Sequence, residues 1–132
     1  MKILLDTHIF LWAITDDSRL TRRQQQIFSD EHNDLFLSVA SVWEIVIKVA
    51  VGKLPLPQPS VAYVERHLKK NQIKLLPLRL PHLSALESVP LLHRDPFDRI
   101  LVAQAQVEGM PILSVDPLIS QYGLKVLPEN SG

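Results

Sequence analysis

The chain opens Met1-Lys2-Ile3-Leu4-Leu5-Asp6-Thr7-His8-Ile9-Phe10-Leu11, and the expectation for the whole fold starts from this stretch. Residues 2–5 form a short apolar run closed by an acid. That suits a buried strand of a parallel sheet, because such strands are covered on both faces. Thr7 to Thr15 then places Phe10, Leu11 and Ile14 at helical spacing. A strand that runs straight into a helix is the unit to look for further along.

It recurs. After turn chemistry at Asp16-Asp17-Ser18, Thr21 to Asp30 reads as a more polar helix and Leu35 to Ser38 as a second strand. Val39 to Val51 is a strongly apolar helix closed by Gly52, a plausible C-terminal glycine. Leu54-Pro55-Leu56-Pro57-Gln58-Pro59 must be an extended loop, since each proline removes a donor and disfavours helix before it. Ser60 to Asn71 is an amphipathic helix, Lys74 to Leu78 a strand and Pro81 to Val89 a short helix. Pro96 to Glu108 is a helix ending at Gly109, Pro111 to Val115 a strand, Pro117 to Tyr122 a short helix, and Leu124 to Leu127 a last strand. Strands alternating with helices predict one α/β domain over residues 1–132, with a mainly parallel central sheet and a polar tail from about 128.

Composition agrees with a globular domain: 46% of residues are hydrophobic and 21% charged over 132 residues. A chain of this size buries roughly two-thirds of its unfolded surface. No apolar run reaches the ~18 residues that span a bilayer. Asp6 arrives too soon for a secretory apolar core, so a cytoplasmic location is the default expectation. With no cysteine, thiolate metal sites and cysteine nucleophiles are excluded. The 14 basic and 14 acidic residues cancel, which argues against coating nucleic acid by bulk charge but allows a local nucleic-acid site.

Four acids stand where chemistry could be done. In an open parallel sheet, ligands bind at the carboxyl ends of strands, near the point where strand order reverses. Asp6 and Asp116 sit at such ends, though each also directly precedes a helix and would serve as its N-cap. Glu44 lies within Val42-Trp43-Glu44-Ile45-Val46-Ile47, apolar nearly all round and so expected to be largely buried. A buried carboxylate is costly unless neutralised; an i,i+4 pair with Lys48 and a bound cation are the two readings. In His93-Arg94-Asp95-Pro96-Phe97-Asp98-Arg99, Asp95 suits an N-cap and Asp98 the first turn, and acids three apart can also share one cation. Carboxylates are what Mg²⁺ or Mn²⁺ selects, and such an ion activates water against a phosphodiester.

Other chemistries lack their signatures. Only 4 glycines occur and no phosphate loop is present. The 5 histidines (His8, His32, His67, His82 and His93) show no paired zinc spacing, and no nucleophile elbow appears.

Leu5-Asp6-Thr7-His8 with Trp12, Ser41-Val42-Trp43-Glu44-Ile45, the His93 to Arg99 segment and Leu113-Ser114-Val115-Asp116 together resemble the PIN domain, and within it the VapC-type toxin ribonucleases. The resemblance runs from Met1 to about Leu127 with the motifs in order. It implies a three-layer α/β/α sandwich and a Mg²⁺- or Mn²⁺-dependent endoribonuclease acting on RNA. It further implies homodimers and a cognate antitoxin. Asp6, Glu44, Asp98 and Asp116 match the acidic quartet, and Asp95 an extra acid whose place as a direct ligand stays open. Ser114, Thr7, His8, Arg94 and Arg99 are the supporting residues, with His8 and Trp12 read as packing or orienting Asp6. A non-catalytic RNA- or protein-binding module of the same fold and a DNA-directed nuclease are the alternatives.

Overall fold

The computed structural model describes residues 1–91 and 95–129. Five strands and seven helices follow one another among them: β1 (Lys2–Leu5), α1 (Thr7–Ile14), α2 (Arg22–Ser29), β2 (Asp34–Ser38), α3 (Val39–Ala50), α4 (Ser60–Lys70), β3 (Lys74–Leu76), α5 (Leu80–Leu86), α6 (Pro96–Glu108), β4 (Ile112–Leu113), a 3-10 helix (Pro117–Tyr122) and β5 (Val126–Leu127). The strands form one sheet in the order β3-β2-β1-β4-β5, and every pairing is parallel. The sheet is therefore wholly parallel, as buried strands between covering helices require.

Two apolar cores, one on each face, make three layers. Ile3 and Leu5 of β1 and Leu35 and Leu37 of β2 pack with Ile9, Phe10, Ile45, Val49, Val64 and Leu68 from α1, α3 and α4. Leu4 points the other way, into a cluster with Leu101, Val102 and Ala105 of α6, Ile112 and Ile119. The alternation along β1 is the period-two geometry of a strand. Between β2 and the second layer lies a buried polar chain: Ser38 Oγ donates to Gln104 Oε1 at 2.5 Å, and His82 Nε2 meets Glu108 Oε2 at 2.8 Å. Arg79 N–H donates to His82 Nδ1 at 3.0 Å, so Nδ1 is the acceptor and Nε2 carries the proton.

Local capping sets the helix starts. Thr21 and Gln24 form a reciprocal capping box at α2. Ser38 Oγ accepts the Ala40 N–H at 3.0 Å at α3. Gly109, at φ 67°, closes α6 in the left-handed region where a side chain would be strained. Several elements are shorter than the sequence predicts. β3 stops at Leu76 before Pro77, and β4 pairs only at Ile112 and Leu113. The helix expected over Pro81–Val89 runs Leu80–Leu86. Nor is α3 buried all round: Val39, Trp43 and Ile47 form an exposed apolar stripe along it. No helix among the described residues is long and apolar enough to cross a membrane.

Candidate active site

The strand order decides where a site can be. From β1 the chain builds outward through β2 to β3 on one side and through β4 to β5 on the other. The carboxyl ends of β1 and β4 therefore flank the reversal point of the sheet, where the opposed connections leave a crevice. Asp6 follows β1 and Asp116 comes three residues after Leu113 of β4. The two acids stand on either side of that crevice.

Asp6 is buried. Its Oδ1 accepts the His8 N–H at 3.0 Å, capping α1, and lies 3.5 Å from His8 Nδ1. Its Oδ2 accepts the Ser114 hydroxyl at 2.6 Å. Burial alone would raise the Asp6 pKa, yet the bonds from His8 and Ser114 outweigh it and hold the carboxyl below its ordinary value. His8 is raised in turn, first by its bond to Asp6, against the opposing effect of burial. Ser114 Oγ also accepts the Asp116 N–H at 3.0 Å. One hydroxyl thus ties Asp6 to the backbone of Asp116. Asp116 itself caps the 3-10 helix by accepting the Leu118 N–H at 2.9 Å.

Glu44 reaches the same end of the sheet from α3. Thr7, next to Asp6, donates to Ser41 Oγ at 2.8 Å, which clamps the start of α1 to α3 one turn before Glu44. Glu44 is only 3% exposed. Its Oε2 accepts from Lys48 Nζ at 2.7 Å, while Oε1 is buried with no hydrogen-bond partner. Both readings of this residue thus have structural content: the i,i+4 pair is formed, and it leaves one oxygen unsatisfied.

Asp95 and Asp98 come from the start of α6. Asp95 accepts the Phe97 N–H at 2.9 Å as the N-cap, with Pro96 at the first helical position. Asp98 is half-buried in the first turn. Electrostatics join this pair to the rest: Lys48 feels the charges of Glu44, Asp95 and Asp98, and His8 those of Lys48 and Glu44. Arg99 buries its Nε without a partner. His93 and Arg94 lie outside the described residues. Among the described residues, no three of His, Asp and Glu stand in one ligating group. The contacts that join the candidate residues are the Asp6–Ser114–Asp116 bridge and the Glu44–Lys48 pair.

A hard divalent cation fits this donor set. Every candidate ligand is a carboxylate, the class Mg²⁺ and Mn²⁺ prefer. Glu44 supplies a buried oxygen that finds no hydrogen-bond partner among the described residues. Sequence reasoning gave no site role to Ser41, the partner of Thr7, although it opens the motif that carries Glu44 and stands one helical turn before it.

Comparison with known proteins identifies the family and the fold. The chain matches the model of the PIN domain over residues 3–124. It is 29% identical over 104 residues to ribonuclease VapC16 of Mycobacterium tuberculosis; the match covers 79% of this chain but 60% of that protein's length. Its fold superposes on the crystal structure of VapBC2 from Rickettsia felis bound to a DNA fragment from their promoter, with a TM-score of 0.71 at 12% identity, over 96% of this chain and 97% of that one. It superposes also on FitAcB from Neisseria gonorrhoeae, with a TM-score of 0.64 at 18% identity, over 94% and 95%. The sheet order and the matched span of 122 positions place this chain in the PIN-domain family, where it is similar to the VapC ribonucleases.

Proposed function

We propose that this protein is a Mg²⁺- or Mn²⁺-dependent endoribonuclease that hydrolyses RNA, and the toxin of a toxin–antitoxin pair. The observation that carries the reading is the bridge from the Asp6 carboxylate through Ser114 to the Asp116 backbone at the sheet's reversal point, together with the buried, unsatisfied Oε1 of Glu44. The family and the ribonuclease relative favour RNA as the substrate, and the toxin–antitoxin complexes among the structural neighbours favour an antitoxin partner.

Asp6, Glu44, Asp98 and Asp116 would hold the cation, with Asp95 as a fifth acid at its margin. When bound, the cation supplies an acidified water and positive charge against the phosphate. The chain's own contribution is placement. Ser114 fixes the rotamer of Asp6 and keeps its carboxyl ionised, and His8 does the same from the other oxygen. The Thr7–Ser41 bond sets the distance between the helices carrying Asp6 and Glu44. Water is the nucleophile, so no covalent intermediate forms on the chain. Arg94 and Arg99 are the cationic side chains nearest in sequence to Asp95 and Asp98 for a substrate phosphate.

The proposal includes a homodimer. Trp43 is 59% exposed and stacks edge-on against Phe97 at 5.1 Å between centroids. It borders an apolar cavity of about 210 Å³ lined by Leu78, Leu83, Leu86 and Ile100. A projecting ring beside a receptive hollow is self-complementary under a two-fold axis. Val39, Ile47, Leu78, Leu80 and Leu83 are exposed as well, so apolar side chains on α3 and around α5 would extend the contact.

The test is incubation of the full chain with end-labelled RNA in Mg²⁺ or Mn²⁺, with and without EDTA, beside Asp6→Asn. Cleavage confined to the wild type with cation is expected. Full cleavage in EDTA, or by Asp6→Asn, would overturn the mechanism. Absence of turnover with retained RNA binding would favour the non-catalytic module instead.

A further inference from the structure

We infer that Lys48 is the internal counter-cation of the acidic crevice, pairing with Glu44 in the resting chain and leaving it when a divalent cation is taken up. This rests on the metal-dependent reading above.

Glu44 Oε2 is not open to a cation as the side chains stand. Oε2 is engaged by the Lys48 ammonium at 2.7 Å, and Oε1 is shielded from solvent. Glu44 one turn before Lys48 is the favourable order for an i,i+4 helical pair, so the contact needs no help from the rest of the fold to form. What sets it apart from an ordinary surface pair is the asymmetry of burial: the carboxylate is almost wholly enclosed, whereas the lysine side chain is 38% exposed. The lysine can swing out into water at small cost; the glutamate cannot.

The ammonium also acts beyond Glu44. Burial would depress the Lys48 pKa, but its bond to Glu44 and the charges of Glu44, Asp95 and Asp98 raise it instead. The lysine is thus bonded to a carboxylate of α3 and feels the charge of two more on α6. A divalent cation drawn to those carboxylates would be repelled by an ammonium a few ångströms away, with little solvent between them to screen the charges. Cation uptake and release of Lys48 are then one event. Once released, the ammonium sits at the mouth of the crevice, where an RNA phosphate would arrive.

The experiment measures Mn²⁺ affinity of the full chain by electron paramagnetic resonance titration, in wild type, Lys48→Met and Lys48→Arg, with Asp6→Asn as control. Loss of the competing charge should tighten Mn²⁺ binding about tenfold in Lys48→Met, and Lys48→Arg should stay near wild type. In EDTA, Lys48→Met should melt lower than wild type, because Glu44 loses its partner, and saturating Mn²⁺ should close that gap. Equal or weaker Mn²⁺ binding by Lys48→Met, beside saturable binding by wild type, overturns the role of Lys48 alone. If wild type shows no site sensitive to Asp6→Asn, the metal reading and this inference fall together. Should Lys48→Met not fold in EDTA, the side-chain ammonium resonance of Lys48 in wild type decides it. Addition of Mg²⁺ should shift or broaden that signal, and an unchanged signal at saturation refutes the displacement.

Discussion

The hydroxyl of Ser114 lies 2.6 Å from Asp6 Oδ2 and accepts the Asp116 N–H at 3.0 Å, so the ends of β1 and β4 are joined by one side chain across the sheet's reversal point. Ser114→Ala removes both contacts. We expect the rate of RNA cleavage to fall about tenfold, as for the loss of a residue that orients a metal ligand. Single-turnover cleavage at saturating Mn²⁺ checks this, and an unchanged rate would show that Asp6 needs no such support.

His8 and Asp6 make stability depend on pH in two separate windows. The His8 pKa is raised from 6.5, so its contribution is complete below that value and is lost as pH rises through the folded-state pKa. The Asp6 pKa is lowered from 3.8, so its contribution is complete above that value and is lost as pH falls through the folded-state pKa. Melting curves in EDTA should show a shallow decline above pH 6.5 that His8→Ala abolishes. The effect is small, because the His8 ring is half-exposed and solvent screens its charge.

Trp43→Asp should turn a dimer into a monomer without unfolding it, since the side chain it replaces contributes to the exposed stripe rather than to either core. Light scattering across a concentration series reads the outcome. A wild type that is monomeric throughout would remove the self-association proposal.

His82 is buried and holds together Arg79, Gln104 and Glu108. His82→Ala strands those partners and leaves a void, so a loss of about 3 kcal/mol is expected. Chemical denaturation measures it. Manganese affinity should hardly move, because His82 bonds to none of the candidate ligands.

Much of the fold was legible because its punctuation is local. Asp95 and Pro96 mark the start of α6, Gly109 marks its end, and the helix runs Pro96–Glu108 as those signals predict. Strand limits were less legible: Pro111 to Val115 reads as one run, but only Ile112 and Leu113 find partners on β5, and that pairing belongs to the sheet rather than to the segment. The apolar circumference of α3 shows the same limit. Periodicity cannot separate a residue buried in the core, such as Ile45, from one turned outward, such as Trp43. Asp6 and Asp116 stand beyond the ends of β1 and β4, positions legible from the apolar runs before them. The reach of Lys48 to Asp95 and Asp98 was not legible, because it depends on how α3 lies against α6. His93 and Arg94, named from the same motif as Asp98, lie outside the described residues.

The position of β1 has a consequence for amide exchange. It has a neighbour on each side and a packed core on each face, and Ile3, Leu4 and Leu5 are fully buried. Backbone amides in such a strand exchange with solvent only when the whole domain opens. Asp6 hangs directly from it. A local fluctuation can loosen the start of α6 or the 3-10 helix, but displacing Asp6 requires the cooperative unfolding of everything else. Deuterium uptake at Leu4 and Leu5 should therefore report the global stability, and loss of the Asp6 site should track the same number.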